Sequence, residues 1–455
     1  MTTAARLAGL MAQIDSMKAV RPLGRVTDVK SGVIRVGGLG HVARIGDAIR
    51  ISRRDQPPLL GEVVQLQDGV TVVLPEGMPD GVALQDRVTV EANATLAPDN
   101  SWIGRVIDPS GNPLDGRPLL RGAMVRELRA LPPAAATRKP LGDRLSTGMA
   151  ITNTFLPIVK GQRIGLFAGS GVGKSSLLGH LASHMQADVV VVGLIGERGR
   201  ELRHFLDKVL GPEGKKRAVV VAATSDQSPL LRRRCGWTAM AVAEHFRDQG
   251  QSVLLLADSI TRFAEAHREV AVAAGEAPVL RGYPPSTAHQ IMSLCERAGP
   301  GGPKHGDITA VFSVLVAGSD MEEPIADILR GVLDGHIVLD REIAERGRYP
   351  AIDVLRSVSR SLPAAASADE NEILAQARSA LAVYDQNAMM IRAGLYTQGS
   401  DPEVDRAINL WPELEGFLAR LDPQDCEASF QKLSLLLRRG GMTPSAMPPK
   451  NKIAQ

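Results

Sequence analysis

The residues best equipped for chemistry lie between positions 168 and 175, where Ala168-Gly169-Ser170-Gly171-Val172-Gly173-Lys174-Ser175 follows the apolar run Arg163–Phe167 and opens a helical pattern at Ser175-Ser176-Leu177-Leu178. Glycines at this spacing let the backbone curl so that successive N–H groups face phosphate oxygens, and the N-terminus of the following helix favours the same negative charge. Lys174 is expected to reach the β- and γ-phosphates of a nucleotide, and the Ser175 hydroxyl to be a Mg²⁺ ligand. Ala168 stands where the GxxxxGK[ST] pattern has its first glycine. Such a loop also needs a carboxylate to order the water shell of the metal. Val253–Ala257 ends in Asp258, at the carboxyl end of an apolar strand where ligands collect in open α/β sheets; the other reading of Asp258 is a helix cap.

Hydrolysis further requires a group that polarises water. The strand after the loop's helix, Val189–Ile195, ends in Gly196-Glu197-Arg198-Gly199-Arg200-Glu201. If this strand neighbours the one carrying the loop, Glu197 faces the γ-phosphate and acts as a base. The residues alone leave a second reading open, a solvated glutamate at a helix start stabilised by the dipole.

These side chains need a frame. At 455 residues the chain is long enough for about three domains. Residues 3–19 place Leu7, Leu10, Met11, Ile14 and Met17 on one helical face. Short β-prone runs then alternate with Gly/Asp turns: Val33–Val36, Ala48–Ile51, Glu62–Leu66, Val70–Leu74 and Asp86–Val90, the texture of a small barrel. Continuous apolar strands follow at Ile164–Phe167, Val189–Ile195, Ala218–Ala223, Val253–Ala257 and Ile308–Val316, alternating with long helices, which predicts a mostly parallel sheet covered on both faces. Beyond Ser361-Leu362-Pro363 only helical patterns remain, at Glu372–Met389 and Ser429–Arg439, before a Pro-rich tail from Thr443. The reading is thus an α/β chain: an amphipathic helix over 1–20, a β-barrel over 21–92, a RecA-like P-loop domain over 93–365 and a helical domain over 366–455.

Composition removes other classes. Lys+Arg 53 against Asp+Glu 50 leaves a net charge of +3, too near neutral for a chain that wraps nucleic acid. Residues 1–92 contain no Phe, Tyr or Trp, so no base-stacking platform is expected there. The run Arg232-Arg233-Arg234 is read as a solvated or intersubunit face. No apolar run reaches membrane-spanning length, no secretory signal opens the chain, and the cysteines Cys235, Cys295 and Cys426 form no CxxC pair. A reducing, cytoplasmic setting is expected.

Gly169–Ser175, Gly196-Glu197-Arg198, Leu255–Phe263 and Tyr349-Pro350-Ala351-Ile352-Asp353 through Ser357-Val358-Ser359-Arg360 occur in the order and spacing of the rotary ATP synthase catalytic subunit superfamily. The wording Gly165–Ser175, Leu333–Arg341 and Gly399–Asp405 resembles its type III export branch, specifically the flagellum-specific ATPases. The resemblance runs from about residue 20 to 440 and implies ATP and Mg²⁺ as cofactors, with residues 168–176 (Ser176 included) around the nucleotide. It implies Glu197 as the water-activating base, Arg360 as an arginine finger reaching a neighbouring subunit's γ-phosphate, Tyr349 stacked on adenine, and Arg198 and Arg262 near the phosphates. It further implies a homohexamer, a dimeric stator-like regulator bound by residues 1–20, stalk and export-gate proteins, export substrates and their chaperones, and peripheral association with the cytoplasmic face of the inner membrane. One departure is Ser319-Asp320-Met321-Glu322-Glu323-Pro324, where relatives carry an acidic pair and then Asp-Pro. Alternatives are an injectisome ATPase, a rotary synthase catalytic subunit, an RNA-dependent helicase and a non-catalytic rotary subunit; Glu197 argues against the last.

Overall fold

The computed structural model describes residues 11, 22–30, 32–91, 95–279, 281–316, 321–421 and 425–442. The expected N-terminal helix, apart from a helical, exposed Met11, and the tail from 443 lie outside them. Six antiparallel strands, Leu23–Lys30, Val33–Gly37, Ala48–Arg53, Gln56–Gln67, Val70–Pro75 and Arg87–Val90, close into a barrel. Alternate residues share a face, so Val26, Ile34, Val36, Ile49, Ile51, Val63, Val73 and Val88 fill its interior. The first of these strands gave no alternating signal in the sequence because one inward position is Gly24. A Cβ there would stand 2.6 Å from Leu39 and 2.8 Å from Val36.

The central sheet runs, from one edge to the other, Ile352–Ser359, Gly335–Leu339, Arg163–Ala168, Asp307–Leu315, Ser252–Asp258, Val189–Glu197, Ala218–Thr224 and Val106–Ile107. All neighbours along this path are parallel except the first pair, which is antiparallel. The five continuous apolar strands expected from the sequence are all present. Their alternate residues feed two cores, Val190, Val192 and Leu194 on one face, Val189, Val191 and Ile195 on the other. The first core takes in the phosphate-loop helix Lys174–His184 and the C-terminal helices Ala368–Arg392, Pro402–Leu418 and Cys426–Arg439. The second takes in Pro229–Asp248, Ile260–Ala273, Ser286–Arg297 and Pro324–Val332. Of the C-terminal helices, the middle one carries Pro412 in its interior, which hid it from a periodicity reading.

The barrel is fastened to the sheet domain by Val64, Val72 and Leu74 packing on Leu230 and Val270, and by an ionic seam. Here the structure corrects the expectation for Arg232-Arg233-Arg234. Helix Pro229–Asp248 is enclosed by sheet and barrel, so three consecutive side chains point in three directions and none forms a solvated face. Arg233, 5% exposed, donates to Glu62 at 3.0 Å and lies over the Trp237 ring. Arg234 pairs with Glu76 at 2.5 Å, and Arg232 with Glu269 at 2.8 Å. Glu62 also accepts from Arg129, so each buried charge has an opposite partner, without which its burial would cost several kcal/mol.

Candidate active site

Strand Arg163–Ala168 passes into the loop 169–173 and then directly into helix Lys174–His184. Gly171 and Gly173 sit at φ +78° and +93°, a region that side chains with a Cβ rarely adopt. Gly173 is the N-cap of the helix and makes no side-chain cap bond, so the positive end of the helix opens into the cleft above the loop. Ala168 closes the strand, its carbonyl accepting from Val316 N–H at 3.0 Å. Val172 is only 3% exposed; its side chain pins the loop into the core and leaves the backbone to do the binding. Gly169, Ser170, Gly171, Gly173, Ser175 and Ser176 all line one cleft of about 960 Å³.

Three charged groups meet at the floor of that cleft. The Lys174 ammonium donates to Asp258 Oδ1 and lies 3.9 Å from Glu197 Oε1. Asp258 Oδ1 also accepts from the buried Ser313 hydroxyl at 2.6 Å. The helix-cap reading of Asp258 fails, because Ser259 caps helix Ile260–Ala273 by accepting from Arg262 N–H at 3.3 Å. Glu197 is not a solvated helix-start residue either. It ends its strand, its side chain is 17% exposed, and its pKa is pushed up to about 7. Burial contributes most to that rise and the neighbouring Asp258 charge adds to it, while Lys174 opposes both.

The route by which Glu197 arrives differs from the expected one. Its strand does not neighbour the loop strand; Asp307–Leu315 and Ser252–Asp258 stand between them. The glutamate reaches Lys174 because its strand overshoots. Leu194 is level with Asp258, the pairing register shifts between Ile195 and Glu197, and Gly196 turns the chain at φ +69°. A bulge at a strand end redirects one side chain in this way.

Tyr349, half-exposed, lies flanking the loop, with ring atoms 3.3 Å from where a Cβ on Gly173 would be. Arg198 stands at the cleft edge, 74% exposed and 3.7 Å from Glu201, and Arg262 lines the wall while pairing with Glu265 at 2.8 Å. Arg360 is elsewhere. The antiparallel edge strand carries it away from the loop: Ile352 is level with Leu339, itself beside Ala168, whereas Arg360 N–H bonds Asp334 O at 3.0 Å. Five residues of strand rise put its backbone about 16 Å below the loop, at the opposite end of the sheet. It is exposed there, donating to the Arg330 carbonyl at 3.0 Å.

Several residues escaped the sequence reading: Ser313, buried behind Asp258, and the lining residues Glu201, Arg232, Glu265, Arg268 and Tyr283. Glu201 and Glu265 stand three positions after Arg198 and Arg262, a helical ion-pair spacing that was available as a signal. Nothing in the sequence around Ser313 marks it. Of the departing segment, Ser319 and Asp320 lie outside the described residues, while Glu323 and Pro324 line the cleft.

Among the described residues no group of three or more His, Cys, Asp or Glu could hold a metal by itself. One hydroxyl, Ser175, and one carboxylate, Asp258, suit Mg²⁺, which keeps several waters and binds through substrate phosphates.

Comparison with known proteins gives the following. The profile of the ATP synthase alpha/beta family, nucleotide-binding domain, matches residues 148–359, and that of the T3SS EscN ATPase C-terminal domain matches residues 366–434. The flagellum-specific ATP synthase of Caulobacter vibrioides is 46% identical over 90% of this chain and 94% of its own. That of Salmonella typhimurium is 42% identical over 93% and 96%. Among solved structures, the assembled ATPase EscN from the enteropathogenic E. coli type III secretion system superposes with a TM-score of 0.84 at 34% identity, covering 91% of this chain and 100% of that one. EscN in complex with its central stalk EscO gives 0.81 at 35%, with the same coverage.

Proposed function

As a member of the family of flagellum-specific ATP synthases and type III secretion ATPases, to which this chain belongs, it is an ATPase of flagellar type III export, and we propose that its catalytic site is shared between neighbouring copies. The observation that carries the chemistry is Glu197, a carboxyl with a pKa near 7 held 3.9 Å from the phosphate-loop ammonium. In this reading the backbone of 168–173 and Lys174 hold the β- and γ-phosphates, Ser176 completes the loop's polar lining, and Tyr349 stacks on adenine. Ser175 and Asp258 would hold Mg²⁺, which when bound neutralises charge on the phosphate oxygens. Glu197 accepts a proton from the attacking water; its raised pKa makes that transfer favourable near neutral pH, where a fully solvated glutamate would be too weak a base. Arg198 and Arg262 balance negative charge at the rim.

Arg360 is the finger, and its place at the far end of its own sheet is the reason it acts in trans. With its backbone about 16 Å below its own loop, farther than an arginine side chain reaches, it serves only a neighbour's γ-phosphate, which supports a homohexamer as the working form. The assembled EscN, and its complex with a central stalk, support assembly and a stalk partner. We further propose a stator-like dimeric regulator at residues 1–20, export-gate contacts, export substrates and chaperones as cargo, and a cytoplasmic location at the inner membrane face. Nucleic acid is not expected among the ligands.

The test is specific ATPase activity against protein concentration, with and without RNA. Activity per subunit should climb steeply with concentration and ignore RNA; flat activity, or RNA stimulation, contradicts the proposal. The EscN C-terminal profile also favours a second reading, an injectisome ATPase. Neighbouring flagellar genes would decide against it.

A further inference from the structure

The Glu197 carboxylate depends on a single turn. Gly196 has φ +69° and no side chain, and two arginine stems from two different helices close over it. A Cβ on Gly196 would stand 3.4 Å from Arg232 Cδ and 3.4 Å from Arg262 Cβ, ordinary van der Waals contact on both sides. The Arg262 contact starts at Cβ, so the backbone of helix Ile260–Ala273 fixes it. The Arg232 contact lies far out along a flexible side chain and holds only if something fixes that side chain.

The structure provides the fixing. Arg232 Nε donates to the Gln227 carbonyl at 3.0 Å, and its terminal nitrogen donates to Glu269 Oε1 at 2.8 Å. The side chain is 13% exposed and lies along the wall of the nucleotide cleft. Two bonds from one planar fork define the plane of the guanidinium and with it the path of the stem. The helix that carries Arg232 is itself tied to the barrel by the next two residues, Arg233 to Glu62 and Arg234 to Glu76. One run of three arginines therefore connects the barrel to the turn that aims the base.

We propose that Arg232, held by Glu269, is a positioning residue for Glu197: it acts through Gly196 and touches neither phosphate nor water. The inference rests on Glu197 being the base. A displacement of the base by about 1 Å is enough to cost up to a hundredfold in rate. Positioning affects the chemical step and leaves nucleotide binding alone, so kcat and KM separate the roles.

The experiment is steady-state ATPase kinetics and direct nucleotide binding on full-length Arg232→Ala, Arg232→Lys, Glu269→Ala and the Arg232→Ala/Glu269→Ala double variant, each with a thermal melt. Arg232→Ala should lower kcat about ten- to a hundredfold with KM and nucleotide Kd unchanged. Arg232→Lys, which can reach Glu269 but not fork, should recover part of it. Glu269→Ala should cause a smaller fall in kcat, and the double variant should be no worse than Arg232→Ala. A weakened nucleotide Kd with kcat intact would make Arg232 a phosphate contact and overturn the proposal. So would additive losses in the double variant, or a loss of kcat that vanishes on cooling well below a lowered melting temperature. If Glu197→Gln proves fully active, the premise fails; if that variant is dead and Arg232→Ala is unimpaired, only the positioning role fails.

Discussion

Replacing Glu197 by glutamine keeps the size and hydrogen-bonding capacity of the side chain and removes its ability to take a proton. With a pKa of about 7, roughly a tenth of Glu197 is ionised at pH 6 and roughly nine-tenths at pH 8. In the native enzyme kcat/KM should therefore rise about tenfold across that interval and level off above it. A positioned base contributes about 10²–10⁴ in rate, so Glu197→Gln should lose that much turnover and the rising limb with it. Nucleotide binding should persist, because the loop and Lys174 are untouched. Stability supplies an independent sign. A carboxyl whose folded pKa lies above its unfolded value of 4.5 favours the fold below that pH, and loses this contribution as pH rises through 7. The upper limit is about 3 kcal/mol, and screening by the open cleft leaves about 1–2. The variant should thus melt higher than the native chain at pH 8 and alike at pH 4.5. Stopped-time phosphate release, nucleotide titration and thermal melts across pH 5–9 measure all three effects. Native turnover in Glu197→Gln, or a rate that is flat between pH 6 and 8 in the native enzyme, would refute the assignment.

Lys174→Ala should abolish phosphate release and raise the Glu197 pKa further, since it deletes a cation that opposes the rise; measurable turnover would count against the phosphate-loop role. Arg233→Ala should destabilise the barrel junction by about 2–4 kcal/mol, less than a fully orphaned pair because Glu62 keeps Arg129, and differential scanning calorimetry should show the earliest transition moving down. An unchanged melt would mean the ionic seam is energetically idle. A chain begun after residue 18 should keep its ATPase and fail to capture the regulatory dimer in a pull-down; retained capture, or loss of folding, would refute the partner-helix proposal.

Much of this site was legible because its chemistry is local. The loop 168–175 and Asp258 each sit at the end of a continuous apolar strand, and an all-apolar run admits few other readings. Glu197 was legible as a residue and not as a geometry. Nothing in the linear order says that two strands inserted later in the chain separate its strand from the loop, nor that an overshoot at Gly196 compensates. The arginine run misled for a related reason. Charge usually marks a surface, but here Glu62 and Glu76 come from a barrel more than 150 residues earlier, and a pairing over that separation leaves no local pattern. Strand Ile352–Ser359 carries polar Asp353 and Arg356 at an exposed edge, so it lacked the apolar signature of its neighbours. Gly24 and Pro412 concealed an element each, one by having no side chain to pattern, the other by violating helix propensity inside a packed helix.

The central claim is that one hydrolytic site needs two copies of the chain, and mixing tests it most directly. Arg360→Ala subunits keep a phosphate site and lack the finger; Lys174→Ala subunits keep the finger and lack the site. Each should be inactive alone. Mixed at concentrations that favour assembly, they should regain phosphate release, reaching a fraction of native activity that peaks near equal proportions. A mixture that stays as inactive as its parents, while native subunits exchanged under the same conditions remain active, would contradict the shared site.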